Sequence, residues 1–190
     1  MLYRKWKVNE FARADVDSLC KQLGVGTLLS KVLLSRSVYT KEQATTKYLD
    51  SAPLSDPFLM KDMDKAVRRI WQAVENDEKI VVYGDYDVDG VCATATLFTY
   101  LESVGANVFY KLPNRENEGY GLNSAVLSKF KEKGVSLVIT VDNGISAIDE
   151  GAFAGSIGLD VIITDHHLPK QEIPNALAVV DPLQKDDTSP

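Results

Sequence analysis

Two cysteines and two histidines are all that the 190 residues hold of the side chains most often tied to metal and redox chemistry. Cys20 and Cys92 lie far apart, and neither belongs to a C-x-x-C pair. Nothing in that spacing supports a thiolate metal site or a disulfide framework. Both read as small core residues, and a reduced cytoplasm is the expected setting. There is no run of about 18 apolar residues, so no membrane-spanning helix is expected. The opening Met1-Leu2-Tyr3-Arg4-Lys5-Trp6-Lys7 lacks the apolar core of a signal peptide. G-x-G-x-x-G and G-x-S-x-G are both absent, which removes support for a dinucleotide turn and for a serine-hydrolase elbow. One further lack is local: no Lys or Arg falls between Lys79 and Lys111.

What is present is ordinary in bulk and uneven in charge. An apolar content of 45% and a charged content of 25% suit a globular chain long enough to bury a full core. The net charge is −6, but residues 1–50 carry nine Lys and Arg against five Asp and Glu, whereas residues 51–190 carry twelve against twenty-two. An acidic body argues against a broad nucleic-acid-binding face and is what a carboxylate-rich metal site gives before its metals are counted.

The cation-free stretch holds the most informative residues, Gly84-Asp85-Tyr86-Asp87-Val88-Asp89-Gly90. The apolar, β-branched run 79–83 before it reads as a buried strand, and the run after it as a helix buried on most faces. Three carboxylates thus share a strand-to-helix turn, bracketed by glycines expected to let the backbone bend sharply. Like charges this close resist ionising together, and a divalent cation is the simplest remedy. The competing reading makes Asp89 a helix N-cap and leaves Asp85 and Asp87 solvated.

Helices are expected over 11–23, with Gly24 as a stop, over 27–34, and from a capping box at Thr40-Lys41-Glu42-Gln43 through Leu49. Pro53 and Pro57 mark 51–58 as a linker. A helix follows from Asp62, read as its N-cap, to about Asn76, with the charges on its outer face solvated. From Ile80 the pattern alternates. Strands are expected at 79–83, 107–112, 136–141, 159–164 and 176–180, with helices at 90–104, 123–133 and 145–155 and a looser link over 166–175. The expected architecture is α/β: a five-stranded, wholly or mainly parallel sheet with helices on both faces, after a small helical region. Residues 1–58 form that region and linker, and 59–190 the α/β domain.

Each strand is followed by residues that carry chemistry. They are Asp85, Asp87 and Asp89; Pro113-Asn114-Arg115; Asp142-Asn143-Gly144; Asp165-His166-His167; and Asp181-Pro182. The strand C-termini of an open parallel sheet share one edge, where ligands bind, so six carboxylates and both histidines should converge there. An EF-hand loop fits the first half of the acidic turn, but its closing Glu would fall on Thr96 and a strand precedes it. Oxygen ligands with one or two imidazoles suit Mn²⁺ or Mg²⁺ better than zinc. Clusters from three strand ends suggest two ions, bridged by Asp142 at about 3.5–4 Å separation. Arg115 can grip a phosphate bidentately, Asn123 reads as an N-cap, and Lys170 as solvated.

These residues resemble the DHH phosphoesterase superfamily, named for a triplet present here as Asp165-His166-His167, and most of all its RecJ-type single-strand exonuclease branch. Gly84–Gly90 is similar to the first motif of that branch, Val141-Asp142-Asn143-Gly144 to its second, and Pro113-Asn114-Arg115 with Glu118-Gly119-Tyr120-Gly121-Leu122 to the loop between them. The segment from Leu34 to Ala44 resembles its opening region. The resemblance implies hydrolysis of single-stranded DNA from the 5′ end in repair and recombination, with Mn²⁺ or Mg²⁺. It implies Asp87, Asp89, Asp142 and His166 as metal ligands, Asp85 as ligand or close support, Asp165 orienting His166, and His167 facing the phosphate beside Asn114 and Arg115. Asp142, His166 and His167 would form the catalytic set. A single-strand-binding protein or a helicase would be cellular partners of a monomeric, cytoplasmic enzyme. Two departures stand out: Asp181-Pro182 replaces the usual Asn-Pro, and a further metal-binding aspartate and the later domains of the branch are missing. The chain therefore reads as an N-terminal piece, weakly active or inactive alone. Two other functions fit the same residues: a short-oligonucleotide or cyclic-dinucleotide phosphodiesterase, and a non-catalytic DNA-binding or scaffold module.

Overall fold

A computed structural model describes residues 8–49, 55–113 and 121–189. The chain forms two compact units, Met1–Leu54 and Ser55–Pro190. In the first, α1 (Arg13–Leu23), α2 (Thr27–Ser35) and α3 (Lys41–Ala44) bury Val16, Leu19, Leu33, Leu34, Val38 and Ala44 against one another. Gly24 ends α1 with φ of 67°, where its N–H and that of Val25 return to the Cys20 carbonyl, a left-handed cap that glycine adopts without a Cβ penalty. The capping box at Thr40 is shifted by one residue. Thr40 Oγ1 accepts from Gln43 N–H, but Gln43 Oε1 accepts from Tyr39 N–H instead of Thr40 N–H. A π-helical turn over Thr45–Leu49 follows.

In the second unit Pro57–Leu59 form a 3₁₀ turn capped by Asp56, so the expected linker closes earlier than 58; its residues 51–54 lie outside the described residues. Helix α4 (Met63–Glu75) begins after Asp62, yet Asp62 makes no side-chain cap. Its backbone is left-handed, and its carboxylate turns to Lys65 and to Val179 N–H, tying the start of the helix to the last strand. Nor are all the charges on α4 solvated. Arg69, with a side chain 11% exposed, donates to Asp160 at 2.7 Å and Glu78 at 2.6 Å.

Strands β1 (Lys79–Tyr83), β2 (Val108–Lys111), β3 (Val135–Val141), β4 (Asp160–Thr164) and β5 (Ala178–Val180) alternate with α5 (Val88–Ser103), α6 (Ser124–Glu132) and α7 (Ile148–Ser156). All four pairings are parallel, in the order β2-β1-β3-β4-β5. The near-continuous apolar strands are what burial on both faces requires. Ala66, Ala73, Leu97 and Leu101 of α4 and α5 pack one face, over Ile80, Val82, Ile139 and Ile162. Val126, Leu127 and Ala154 of α6 and α7 pack the other, over Val81, Val138 and Ile163. From β1 the chain steps outward to β2, then crosses back to β3. The strand order therefore reverses between β1 and β3, and a crevice opens at their C-terminal ends.

Candidate metal centre

The acidic turn fills that crevice. Helix α5 starts at Val88, two residues before the expected start, because Asp87 is its N-cap: Asp87 Oδ1 accepts from Gly90 N–H at 3.0 Å. The cap therefore falls on Asp87, not on Asp89. The bracketing glycines also serve a different purpose from the one expected, since neither has a positive φ. They are needed for space. A Cβ on Gly84 would collide with Thr94 Oγ1, and one on Gly90 would sit 2.6 Å from Asp85 N and Cβ. This packing of turn against helix buries Asp85, which is 3% exposed, with its Oδ1 accepting from Tyr86 N–H.

At the end of β3 Asp142 is held with φ of 61°, a left-handed geometry that Asp and Asn tolerate better than most residues. Asn143 next to it is fully buried, and its amide donates to the carbonyls of Tyr83 at 3.2 Å and Val141 at 2.9 Å. One side chain thereby ties the ends of β1 and β3 and fixes the spacing of their carboxylates. Its place after a strand and before Gly144 is visible in sequence, but the clamp is not.

Among the described residues two groups of donor atoms result, each with its atoms within 4.8 Å of one another: Asp85, Asp87 and Asp142, and Asp142, His166 and His167. Asp142 belongs to both. His166 Nε2 lies 2.8 Å from Asp142 Oδ1, a spacing close to that of two adjacent ligands of one octahedral cation. The donor set of carboxylate oxygens with imidazole nitrogen fits Mn²⁺ or Mg²⁺. Asp89 reaches neither group; it lines a cavity of about 400 Å³ with Met60, Ala93, Asp142, Asp165 and His166.

Asp165 has a different side-chain partner from the expected one. Its Oδ1 accepts from the ring Nδ1 of His167 at 2.7 Å, and it meets His166 only at the backbone N–H, at 2.8 Å. Its Oδ2 accepts from Ile145 N–H at 2.9 Å, a contact between distant loops that no sequence signal announces. The rings of His166 and His167 lie 4.6 Å apart. The bond to Asp165 fixes the orientation of the His167 ring.

The electrostatics follow the packing. Burial, with Asp87 nearby, raises the pKa of Asp142 above the ordinary carboxylate value, and the bond to His166 opposes this only in part. Burial works in the same direction at Asp165, but there the bonds from Ile145, the His167 ring and the two histidine N–H groups prevail and hold its pKa low. Asp165 in turn raises the pKa of His167. Burial raises the pKa of the fully buried Asp181, whose Oδ1 accepts from Leu183 N–H and whose Oδ2 has no hydrogen-bond partner among the described residues. Asn123 caps α6. Asn114 and Arg115 lie outside the described residues.

An open, parallel α/β domain with an acidic and imidazole-bearing rim at its switch point is the class that fold and site define. A family model described as "DHH family, N-terminal domain" matches residues 79–189, and the chain belongs to that family. The single-stranded-DNA-specific exonuclease RecJ of Bacillus subtilis is 42% identical over 187 residues, 98% of this chain and 24% of the relative. That of Haemophilus influenzae is 38% identical over 166 residues, 85% of this chain and 29% of the relative. A crystal structure of exonuclease RecJ bound to manganese superposes with a TM-score of 0.64 at 34% identity, over 72% of this chain and 35% of that one. RecJ from Thermus thermophilus in complex with Mn²⁺ gives a TM-score of 0.64 at 28% identity, over 93% of this chain and 24% of that one. The chain thus spans about a quarter of the length of these curated relatives.

Proposed function

We propose that this chain carries the metal-binding half of the active site of a single-strand-specific DNA exonuclease that digests from the 5′ end. The observation that carries the reading is the meeting of three strand ends at one side chain: Asp142 lies within reach of Asp85 and Asp87 on one side and of His166 on the other. The relatives named as single-stranded-DNA-specific exonucleases, and the manganese in a related crystal structure, support the same reading. Mn²⁺ or Mg²⁺, as two ions in a protein of the relatives' full length, would supply a polarised phosphodiester and a water acidified enough to attack it.

The residues have separate tasks. Asp85 and Asp87 present oxygens from the β1 turn, Asp142 presents oxygens to both groups, and His166 presents an imidazole nitrogen from the β4 exit. Asp89, on the cavity wall, adds negative charge without reaching either group. Asp165 orients His167, whose imidazole would meet the charge that builds on a phosphate oxygen. Asn114 and Arg115, by their place in the sequence after β2, would contact the phosphate from the same rim. A cytoplasmic setting suits the two free cysteines, and among the described residues no helix is long and apolar enough to cross a membrane. We assign single-stranded DNA as the ligand and leave helicase and single-strand-binding protein as partners of the longer protein.

The test is a product assay with Mn²⁺ on 5′-labelled strands, in a protein of the relatives' full length bearing this chain. The expected result is stepwise release of mononucleotides from single strands, with duplexes resistant. Preferential cleavage of dinucleotides would instead mark a short-oligonucleotide or cyclic-dinucleotide phosphodiesterase. An absence of Mn²⁺ binding by calorimetry would mark a non-catalytic scaffold.

A further inference from the structure

Of the buried residues of β3, Thr140 alone is polar; the others are Val, Leu and Ile. Thr140 is fully buried. A valine has nearly the same shape and would fill the position without a polar atom, so packing does not account for the hydroxyl. Burying a hydroxyl is costly unless it is hydrogen-bonded. Here the bond is made: Thr140 Oγ1 donates to the Asn143 carbonyl at 2.7 Å. That carbonyl lies just past Asp142, so the bond closes the turn on which the Asp142 carboxylate stands.

The neighbouring backbone groups are held as well. Asp142 N–H donates to the Thr164 carbonyl at 3.1 Å, and the Val141 carbonyl accepts from the Asn143 side-chain amide at 2.9 Å. The Thr140 carbonyl accepts from Thr164 Oγ1 at 2.6 Å, which ties β4 to the same residue. The turn is therefore fixed before, at and after Asp142. Such restraint is what a left-handed backbone in a residue other than glycine requires, and Asp142 has φ of 61°. Gly144, with φ of 113°, leaves the place that the hydroxyl occupies: a Cβ there would lie 2.7 Å from Thr140 Oγ1 and 3.2 Å from Ile163 Cγ2.

We propose that Thr140 is a positioning residue of the metal centre: its buried hydroxyl pins the turn around Asp142 and so aims the shared carboxylate at both donor groups. A carboxylate that serves two groups needs a defined direction, because a rotation of its backbone carries it toward one group and away from the other. Thr140 reaches neither cation nor phosphate and acts only through the Asn143 carbonyl. The proposal rests on the metal-centre reading of the rim and adds to it a layer beneath the ligands that sets their geometry.

Mn²⁺ calorimetry on the 190-residue chain, with thermal unfolding of the metal-free chain alongside, separates positioning from packing. Thr140→Val keeps the shape and removes the hydroxyl, whereas Thr140→Ser keeps the hydroxyl and removes a methyl. Thr140→Val is expected to weaken Mn²⁺ about 10- to 100-fold, the usual cost of losing an outer partner of a ligand. The electron paramagnetic resonance of its bound Mn²⁺ should broaden as the ligand field loses symmetry. Thr140→Ser should bind Mn²⁺ within about twofold of wild type, although the lost methyl lowers its unfolding temperature. Wild-type affinity in Thr140→Val overturns the proposal. So does an affinity that falls in Thr140→Ser in step with its stability, because packing alone is then at work. Should Thr140→Val not fold, Thr140→Ala is compared with Thr140→Ser, from which it differs only by the hydroxyl, and equal affinities in that pair overturn the proposal. A wild-type chain that takes up no Mn²⁺ removes the rim reading and the proposal together, whereas wild-type affinity in Thr140→Val leaves the rim reading intact.

Discussion

Asp142→Asn is expected to lower Mn²⁺-dependent hydrolysis of single strands about 10³-fold in a protein of the relatives' full length, with the fold intact. The size follows from position. Asp142 is the one side chain in both donor groups, so removing its charge weakens each of them. Several kcal/mol of transition-state stabilisation are expected to depend on cations held there, and each factor of ten corresponds to about 1.4 kcal/mol. Asparagine is the informative replacement. It tolerates the left-handed backbone that the φ of 61° demands, keeps the side-chain shape and can still bond to His166. Stability should not fall. The folded pKa of Asp142 is raised, so at neutral pH its ionised form is penalised in the folded state relative to the unfolded one. The neutral amide escapes that penalty, and the metal-free variant should unfold at a temperature no lower than wild type. Activity within a few-fold of wild type would refute the assignment, and so would activity lost only because the variant unfolds.

The Asp165→Asn variant should fail differently, by losing both stability and the set of the histidines. The side chain of Asp165 is 1% exposed and accepts from Ile145 N–H, His166 N–H, His167 N–H and the His167 ring. Losing the charge behind four such bonds should cost about 3 kcal/mol in urea unfolding near neutral pH. The pH dependence has a definite sign. A folded-state pKa held below its unfolded value contributes stability above the ordinary carboxylate range, and this is lost as pH falls through the lowered pKa. His167 has the opposite sense: its raised pKa contributes below the usual imidazole value of 6.5, and this is lost as pH rises through the folded value. Wild type should therefore be most stable relative to the variant between these limits, and the gap should close toward strong acid. The misplaced His167 should also weaken Mn²⁺ about 10- to 100-fold, as loss of a partner behind a ligand set commonly does. A gap that persists unchanged into strong acid would show that the charge of Asp165 contributes nothing.

The sheet was readable because each strand is a short β-branched, apolar run, and because the residues after β1, β3 and β4 are unlike anything in a core. Convergence of Asp85, Asp87, Asp142 and His166 followed from parallel topology alone. What stayed hidden was set by contacts that sequence spacing does not encode. Asp87 and Asp89 are chemically identical candidates for an N-cap, and only the helix start decides between them. Gly84 and Gly90 looked like hinges, yet their roles are steric, fixed by Thr94 and the Asp85 backbone. Asp165 is adjacent in sequence to His166 but faces the ring of His167, because Ile145 N–H takes its other oxygen. Asp62 sits where a cap belongs and serves β5 instead.

Diffraction from crystals grown with Mn²⁺, collected where manganese scatters anomalously, reads the shared rim directly. The prediction is anomalous density bounded by Asp85, Asp87 and Asp142, with Asp142 also facing density next to His166. Manganese found only at other carboxylates, with Asp142 still bonded to His166 and the rim without density, would contradict the account.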